Sequence, residues 1–533
     1  MKSLMKKVFA AAAAIATVFG LAATTVATAN AADNATLTVS TTDAKFAGKT
    51  VNAYKMFSAT VSGDGGSKAV SYTLTDAWKP FFKNSTASGL TGATDENVND
   101  KANDYVSKLK GEDLVAFATE ASNWAQTKTN GIMAGATAMV SADATNGSYT
   151  ATFTDLDYGY YVVAVPGATL ANASGQYATL VSVDSTNVNT NIKGDLPTVD
   201  KKVQVGGTGK DATDAKIGDT LTFTLTSTIP DMSAYDTYTF NFKDTLSQGL
   251  TFGQVTSVTV DGVTDPLTVN TDYTVTTPTT SDNTLTVSMK DFKKQQANAG
   301  KKITVTYTAT LNKDAVVGGH GNTNSATIQY SNNPSSGGTG ESEPSKVRVF
   351  TYGFTVDKYT GDKYDDDATR LAGAEFTLAP KNGTAMSFVQ VDAGSATANA
   401  VYRVAKAGET DTTTTITTPA NGKVVFQGLE NGEYTLTETK APAGYNKLAS
   451  AIGVKVDGKN DGTDTTDATV AITYNNDNGN SYNQTASNGV IPVQNKSGAI
   501  LPGTGGMGTI AFTVIGVLVI ALGVAWTLKR KNA

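Results

Sequence analysis

The sequence predicts an all-β protein, a row of β-sandwich domains, on three observations. The chain is rich in Thr, Val, Gly and Asn, which favour pleated strands and turns over helix. Apolar residues alternate with polar ones in runs such as Leu221, Phe223 and Leu225, or Ile303, Val305, Tyr307, Ala309 and Leu311, the period of a half-buried strand. Two segment pairs also repeat. Thr198-Val199-Asp200-Lys201 returns as Thr355-Val356-Asp357-Lys358, and the nine residues from Phe153 to Tyr161 align without a gap on those from Phe426 to Tyr434. At 533 residues the chain is long enough for three or four domains.

The elements follow in order. Residues 1–31 carry Lys2, Lys6 and Lys7, an apolar run from Val8 to about Ala23, and Ala29-Asn30-Ala31, the three parts of a secretory signal peptide. A first β domain is expected at 32–190. It contains a segment, Glu96 to Gln126, whose apolar spacing (Tyr105, Leu109, Leu114, Val115, Phe117, Ala118) suits one or two inserted helices. A middle domain is expected at 195–333, with Gly206-Gly207 as a hairpin turn. Residues 334–347, in a stretch rich in Asn, Pro, Ser, Gly and Glu, read as a linker, and a third domain follows at 348–497. Short strands separated by frequent turn signals make these sandwiches immunoglobulin-like. Residues 506–528 are uncharged and long enough to span a hydrocarbon core, and the basic tail 529–533 would stay inside.

Composition excludes several functions. There is no Cys, so disulfide scaffolds, thiolate metal sites and cysteine nucleophiles are absent. One His, His320, cannot supply a multi-histidine metal site, and a Ser-His-Asp triad would rest on it alone. Removing the two ends takes away six basic residues and no acidic one, leaving 36 basic against 48 acidic, a net charge of −12 that argues against nucleic acid. The cluster Asp362, Asp365, Asp366 and Asp367 lacks EF-hand spacing and reads as a solvated acidic loop. No cofactor or metal is expected, and turnover catalysis is not.

A period-2 strand puts Val199, Lys201 and Val203 on one face, and Phe354, Val356 and Lys358 likewise, so each lysine shares a face with apolar neighbours. In the nine-residue repeat the two copies then diverge, and Glu438 falls opposite Val165.

Leu501-Pro502-Gly503-Thr504-Gly505, followed by the apolar stretch and basic tail, resembles the cell-wall sorting signal of Gram-positive surface proteins. Leu371 to Leu378, with Tyr434 to Tyr445 (YTLTETKAPAGY), resembles the signature of collagen-binding-protein type B domains. Tyr238 to Phe252 with Asn324-Ser325-Ala326 is similar to the middle domain of major pilins. Together these features resemble a sortase-assembled pilus backbone subunit over nearly the whole chain, most weakly in the first domain.

The resemblance implies Lys–Asn isopeptide bonds inside the domains: Lys201 to Asn324 with Asp244 as the promoting acid, and Lys358 to Asn495 with Glu438. Each lysine would lie on the first strand of its domain and each asparagine on the last. Lys202 and Asn322 are the runners-up in the middle domain. The chemistry suits these residue types. A buried lysine becomes a neutral nucleophile, a buried carboxylic acid stays protonated and stabilises the oxyanion, and the core holds the partners together. Val165, at the place of the acid, predicts no such bond in the first domain.

The resemblance also implies sortase cleavage between Thr504 and Gly505 and transfer of Thr504 to a lysine of the next subunit. Val188-Asn189-Thr190-Asn191-Ile192-Lys193 keeps the Val and Lys of the pilin motif V-x-V-Y-P-K but lacks Tyr-Pro, which selects Lys193, with Lys202 next. The expected product is a secreted, wall-anchored surface fimbria. Its partners would be identical subunits, pilus-specific and housekeeping sortases, and peptidoglycan. The alternative is a monomeric wall-anchored adhesin that binds host matrix or glycan through the first domain.

Overall fold

The structure, a computed structural model, describes residues 34–63, 68–84, 90–169, 178–334, 337–364, 366–460, 462–463, 465–475, 482–498 and Ile520. The signal peptide, the 501–505 motif, the 529–533 tail and all of the 506–528 apolar stretch except Ile520 lie outside these residues. Among the described residues no helix is long and apolar enough to cross a membrane. The fold is mostly strand. The chain divides into two compact units, Met1–Thr351 with Gly458–Thr469, and Tyr352–Asp457 with Val470–Ala533.

In the first unit, strand Ala35–Thr41 lies between Tyr149–Leu156, antiparallel, and Asn187–Asn191, parallel. This three-stranded sheet faces a five-stranded one built on Thr50–Ser62 and Gly159–Ala164. The core between them holds Leu37, Val39, Val51, Phe153, Tyr161 and Val163. Every residue of Gly159–Ala164 is buried, which a half-covered sheet would not produce.

The cause is the helical insertion. Helices Val98–Lys108 and Gly111–Gln126 form where the apolar spacing places them, and a short helix, Lys79–Asn84, precedes them. They cover the outer face of the five-stranded sheet. Phe81, Phe82, Phe117 and Ala121 join Phe57, Tyr160 and Val162 in a second core. The insertion is therefore a third layer of the domain.

Phe81 is fully buried, and its ring lies 5.4 Å from Trp78, 5.0 Å from Phe82 and 5.6 Å from Trp124. Phe81→Ala should cost about 3–5 kcal/mol in urea unfolding, the usual toll of a core aromatic. A loss below ~1 kcal/mol would contradict a shared core.

Residues 200–350 form a second sandwich. Strand Asp200–Val205 sits between Thr208–Lys210 and Thr220–Thr228, with Lys302–Leu311 and Leu250–Val260 beyond. Gly206 (φ 57°) and Gly207 (φ 81°) make the tight turn that closes the first hairpin, a backbone region glycine enters without strain. The facing sheet is centred on Asn322–Ser331 and Phe240–Leu246. The stretch expected as a linker carries two strands of this sheet, Thr339–Glu341 and Ser345–Phe350, both paired with Asn322–Ser331. Its Gly and Ser content signalled turns, while Val347 and Val349, buried on alternate positions, carried the strand.

In the second unit, strand Tyr352–Tyr359 runs antiparallel to Lys423–Leu429 and parallel to Val490–Gln494. This is the strand arrangement of the first domain's small sheet. The nine-residue repeat folds alike in both places. Asp155 (φ 58°) and Gly428 (φ 84°) take the same left-handed turn. The hydroxyls of Tyr161 and Tyr434 each donate to the carbonyl four residues back, on Asp157 (2.7 Å) and Glu430 (2.9 Å). Such a tyrosine corner fixes the turn into the following strand.

Candidate functional site

Among the described residues two lysines are fully buried, and both are the lysines of the repeated strand start. Burying an ammonium is costly unless it is paired, so each should have a partner, and each does.

In the middle sandwich, Lys201 projects inward from Asp200–Val205 beside Val203, while Lys202 points the other way. Its Nζ donates to Asp244 Oδ2 at 2.5 Å and to Tyr307 Oη at 2.8 Å. Asp244 stands on the opposite sheet, where it pairs in register with Ala326, and Asn324 sits two residues away on that neighbouring strand. Lys201, Asp244 and Asn324 are each 0 % exposed.

Tyr307 joins the three. It donates to Asp244 Oδ2 at 2.5 Å and accepts from Asn324 Nδ2 at 2.6 Å. Its ring stacks on Phe223 at 5.4 Å, and Lys201 Nζ lies 5.1 Å from the Tyr307 centroid and 5.2 Å from that of Phe223. The sequence placed Tyr307 in the core by alternation and gave no sign of its polar role. Among the described residues, Asp244 Oδ1 and Asn324 Oδ1 have no hydrogen-bond partner.

Burial lowers the Lys201 amine to about 8, against the opposing pull of Asp244. Burial and Asp244 together hold the Tyr307 phenol well above its ordinary value. Asn322, the runner-up, is also buried, but its side chain is fully engaged by the backbone. It donates to the carbonyls of Val316 and Val349 and accepts from Val316 N. Asn324 does not lie on the last strand of its sheet, because Thr339–Glu341 and Ser345–Phe350 follow it; Ser345 Oγ accepts from Lys201 N at 3.0 Å.

In the third sandwich the first and last strands are direct neighbours, with Lys358 paired to Val493 and Asn495 following two residues on. Lys358 Nζ lies 3.5 Å from Glu438 Oε1 and donates to Val493 O at 3.1 Å. Asn495 Nδ2 donates to Glu438 Oε2 (3.1 Å) and Asn446 O (3.0 Å), and Leu448 N donates to Glu438 Oε2 at 2.7 Å. The loop after the YTLTETKAPAGY stretch thus positions both carboxylate and carboxamide. Burial lowers Lys358 to about 8, opposed by Glu438. Asn495 Oδ1 makes no hydrogen bond to the described residues.

The first domain has the same strands without these side chains. Matching Phe153 to Phe426 in the two registers sets Leu37 against Phe354, Val39 against Val356 and Thr41 against Lys358. The parallel partner strands then set Gly194 against Asn495, and the repeat sets Val165 against Glu438. Thr41, Val165 and Gly194 thus occupy the three positions. No lysine is buried among the described residues of this domain.

Lys193, next to Gly194, is half-buried beside Val51, Val165 and Ile192, and it makes no hydrogen bond or ion pair with the described residues. Lys202 is committed: it pairs with Asp211 at 2.6 Å and Asp200 at 3.2 Å, and the Asp211 hydrogen bond, ahead of burial's opposing effect, raises its amine. Among the described residues no group of His, Asp and Glu could hold a metal ion.

A curated relative, the trypsin-resistant surface T6 protein of Streptococcus pyogenes serotype M6, is 26% identical over 273 residues, 48% of this chain and 44% of the relative. The chain therefore matches less than half the length of that protein. Among solved structures, the T6 backbone pilin of serotype M6 Streptococcus pyogenes is 19% identical with a TM-score of 0.47, covering 88% of this chain and 99% of that one. The full-length major pilin SpaD of Corynebacterium diphtheriae is 20% identical with a TM-score of 0.42, covering 88% and 98%. Residues 357–471 match the SpaA prealbumin-like fold domain. Residues 217–334 match the Cna-B-like domain of Gram-positive pilin backbone subunit 2.

Proposed function

We propose that the protein is the repeating subunit of a covalent surface pilus, stapled internally by Lys201–Asn324 and Lys358–Asn495 isopeptide bonds. The observation that carries this reading is the pair of fully buried lysines, each set against a buried carboxylate and within a side chain's reach of a buried asparagine. The neutral amine attacks the carboxamide carbon, ammonia departs, and an amide remains. Asp244 and Glu438 promote the step by taking the lysine's proton and steadying the developing oxyanion. Folding has already brought the groups together, so no turnover machinery is required.

Export through residues 1–31 and sortase cleavage after Thr504, in Leu501-Pro502-Gly503-Thr504-Gly505, complete the reading. Residues 506–528 and the basic tail would hold the precursor in the membrane until that cleavage. Sortases would join Thr504 to Lys193 of the next copy and, finally, to peptidoglycan. Lys193 is favoured over Lys202 because its amine is free of the ion pairs that hold Lys202.

The relative's name records resistance to trypsin. The same resistance is expected here, and Lys358→Ala should make the third sandwich digestible at least ~10-fold faster. Equal digestion would remove the staple from the account.

The reaction should also depend on pH. Only the neutral amine attacks, so bond formation in freshly folded chain should rise with pH up to about 8 and level off above it. A rate flat from pH 6 to 9 would contradict an amine nucleophile. In Asn495→Ala, which cannot react, Lys358 titrates near 8 when folded and near its ordinary 10.5 when unfolded. Between these values the unfolded chain binds the extra proton, so stability should rise with pH across that window and stay at its lower level below 8.

A further inference from the structure

We propose that Tyr307 is a catalytic residue of the Lys201–Asn324 reaction, the proton relay between attacking and leaving nitrogens, an inference that rests on the self-stapling reading above. A buried tyrosine hydroxyl needs one partner to be satisfied. Tyr307 has three, and two of them are the nitrogens that exchange places in the reaction. Its oxygen accepts from Lys201 Nζ at 2.8 Å and from Asn324 Nδ2 at 2.6 Å, and its proton rests on Asp244 Oδ2 at 2.5 Å. Among the described residues, every hydrogen bond of the Asn324 side chain goes to this hydroxyl. In the third sandwich the carboxamide reaches its carboxylate directly, Asn495 Nδ2 to Glu438 Oε2 at 3.1 Å.

The atoms balance through this one oxygen. As Lys201 Nζ bonds to Asn324 Cγ, Nζ becomes acidic and gives a proton to Tyr307 Oη. As the Cγ–Nδ2 bond breaks, Nδ2 becomes basic and takes a proton from the same hydroxyl. One hydrogen moves from Nζ to Nδ2, ammonia leaves, and Tyr307 and Asp244 end as they began. Because its phenol resists ionisation in the core, Tyr307 acts by passing a proton on and holds no charge of its own.

The test uses the whole chain, synthesised in a short pulse, quenched in acid at intervals and mapped for the Lys201–Asn324 and Lys358–Asn495 peptides. In Tyr307→Phe the first bond should form about 100-fold more slowly or not at all, the usual scale of a lost acid–base group, while the second forms at the wild-type rate. Formation of both at wild-type rates would overturn the relay and leave the staples standing. Absence of the Lys201–Asn324 peptide from the unaltered chain would overturn the staple reading of this domain and the relay with it. Should the Phe variant misfold, a fluorinated tyrosine with a more acidic phenol at position 307 keeps shape and hydroxyl. The pH profile of the first bond should then move with the phenol's acidity, and an unmoved profile would assign Tyr307 to packing alone.

Discussion

Glu438→Ala should yield a chain that, once the mass of the substitution itself is allowed for, is one ammonia heavier than wild type, with Lys358 and Asn495 unjoined and the second unit markedly less stable. Two losses combine. The staple closes a loop from Lys358 to Asn495, and a cross-link over a loop of that length restrains the unfolded chain by about 5 kcal/mol on the scale known for disulfides. The variant also leaves a buried ammonium without its carboxylate, 3.5 Å away in the parent, a loss of about 3–5 kcal/mol for a buried pair. Glu438→Gln separates the two, since it keeps the shape and can still contact Lys358 but cannot take its proton. Both variants should lose the cross-linked peptide in mass mapping. The wild-type loss of ammonia and wild-type melting in Glu438→Ala would remove Glu438 from the chemistry.

Lys193→Ala should abolish the high-molecular-weight ladders of cell-wall extracts while leaving wall-anchored monomer. The effect is all or none, because a polymer linked through a single lysine cannot extend without it. Lys202→Ala should leave the ladders intact, its amine being held by Asp200 and Asp211. Ladders that persist in Lys193→Ala and vanish in Lys202→Ala would move the acceptor to the runner-up. The internal staples should be unaffected in both, so intact mass checks that the fold is preserved.

Much of this was legible in the sequence because strands write their faces with period two. Lys201 between Val199 and Val203, and Lys358 beside Val356, share an apolar face, which a lysine can do buried or by snorkelling to solvent, and the structure buries both. The nine-residue repeat fixed the place of Glu438 and predicted its loss at Val165. What the sequence hid depends on contacts across the sandwich. Tyr307 looks like any core aromatic in an alternating run; its hydroxyl gains meaning only when the opposite sheet brings Asp244 and Asn324 to it. Thr41 and Gly194 have no motif, and their equivalence to Lys358 and Asn495 appears only in the strand registers. The 334–347 stretch misled for a related reason, since turn residues there interrupt strands whose pairing partner, Asn322–Ser331, lies earlier in the chain. The helices were readable as elements, but their burial of an entire sheet face was not, because Gly159–Ala164 carries no alternation to show which side is covered.

The most direct test of the central claim is the intact mass of recombinant residues 33–500, followed by peptide mapping. The account predicts a mass two ammonias below the sequence value, with Lys201–Asn324 and Lys358–Asn495 peptides recovered as cross-linked species. A mass equal to the sequence value would contradict it, and the two buried clusters would then be ordinary core ion pairs of an uncross-linked surface protein.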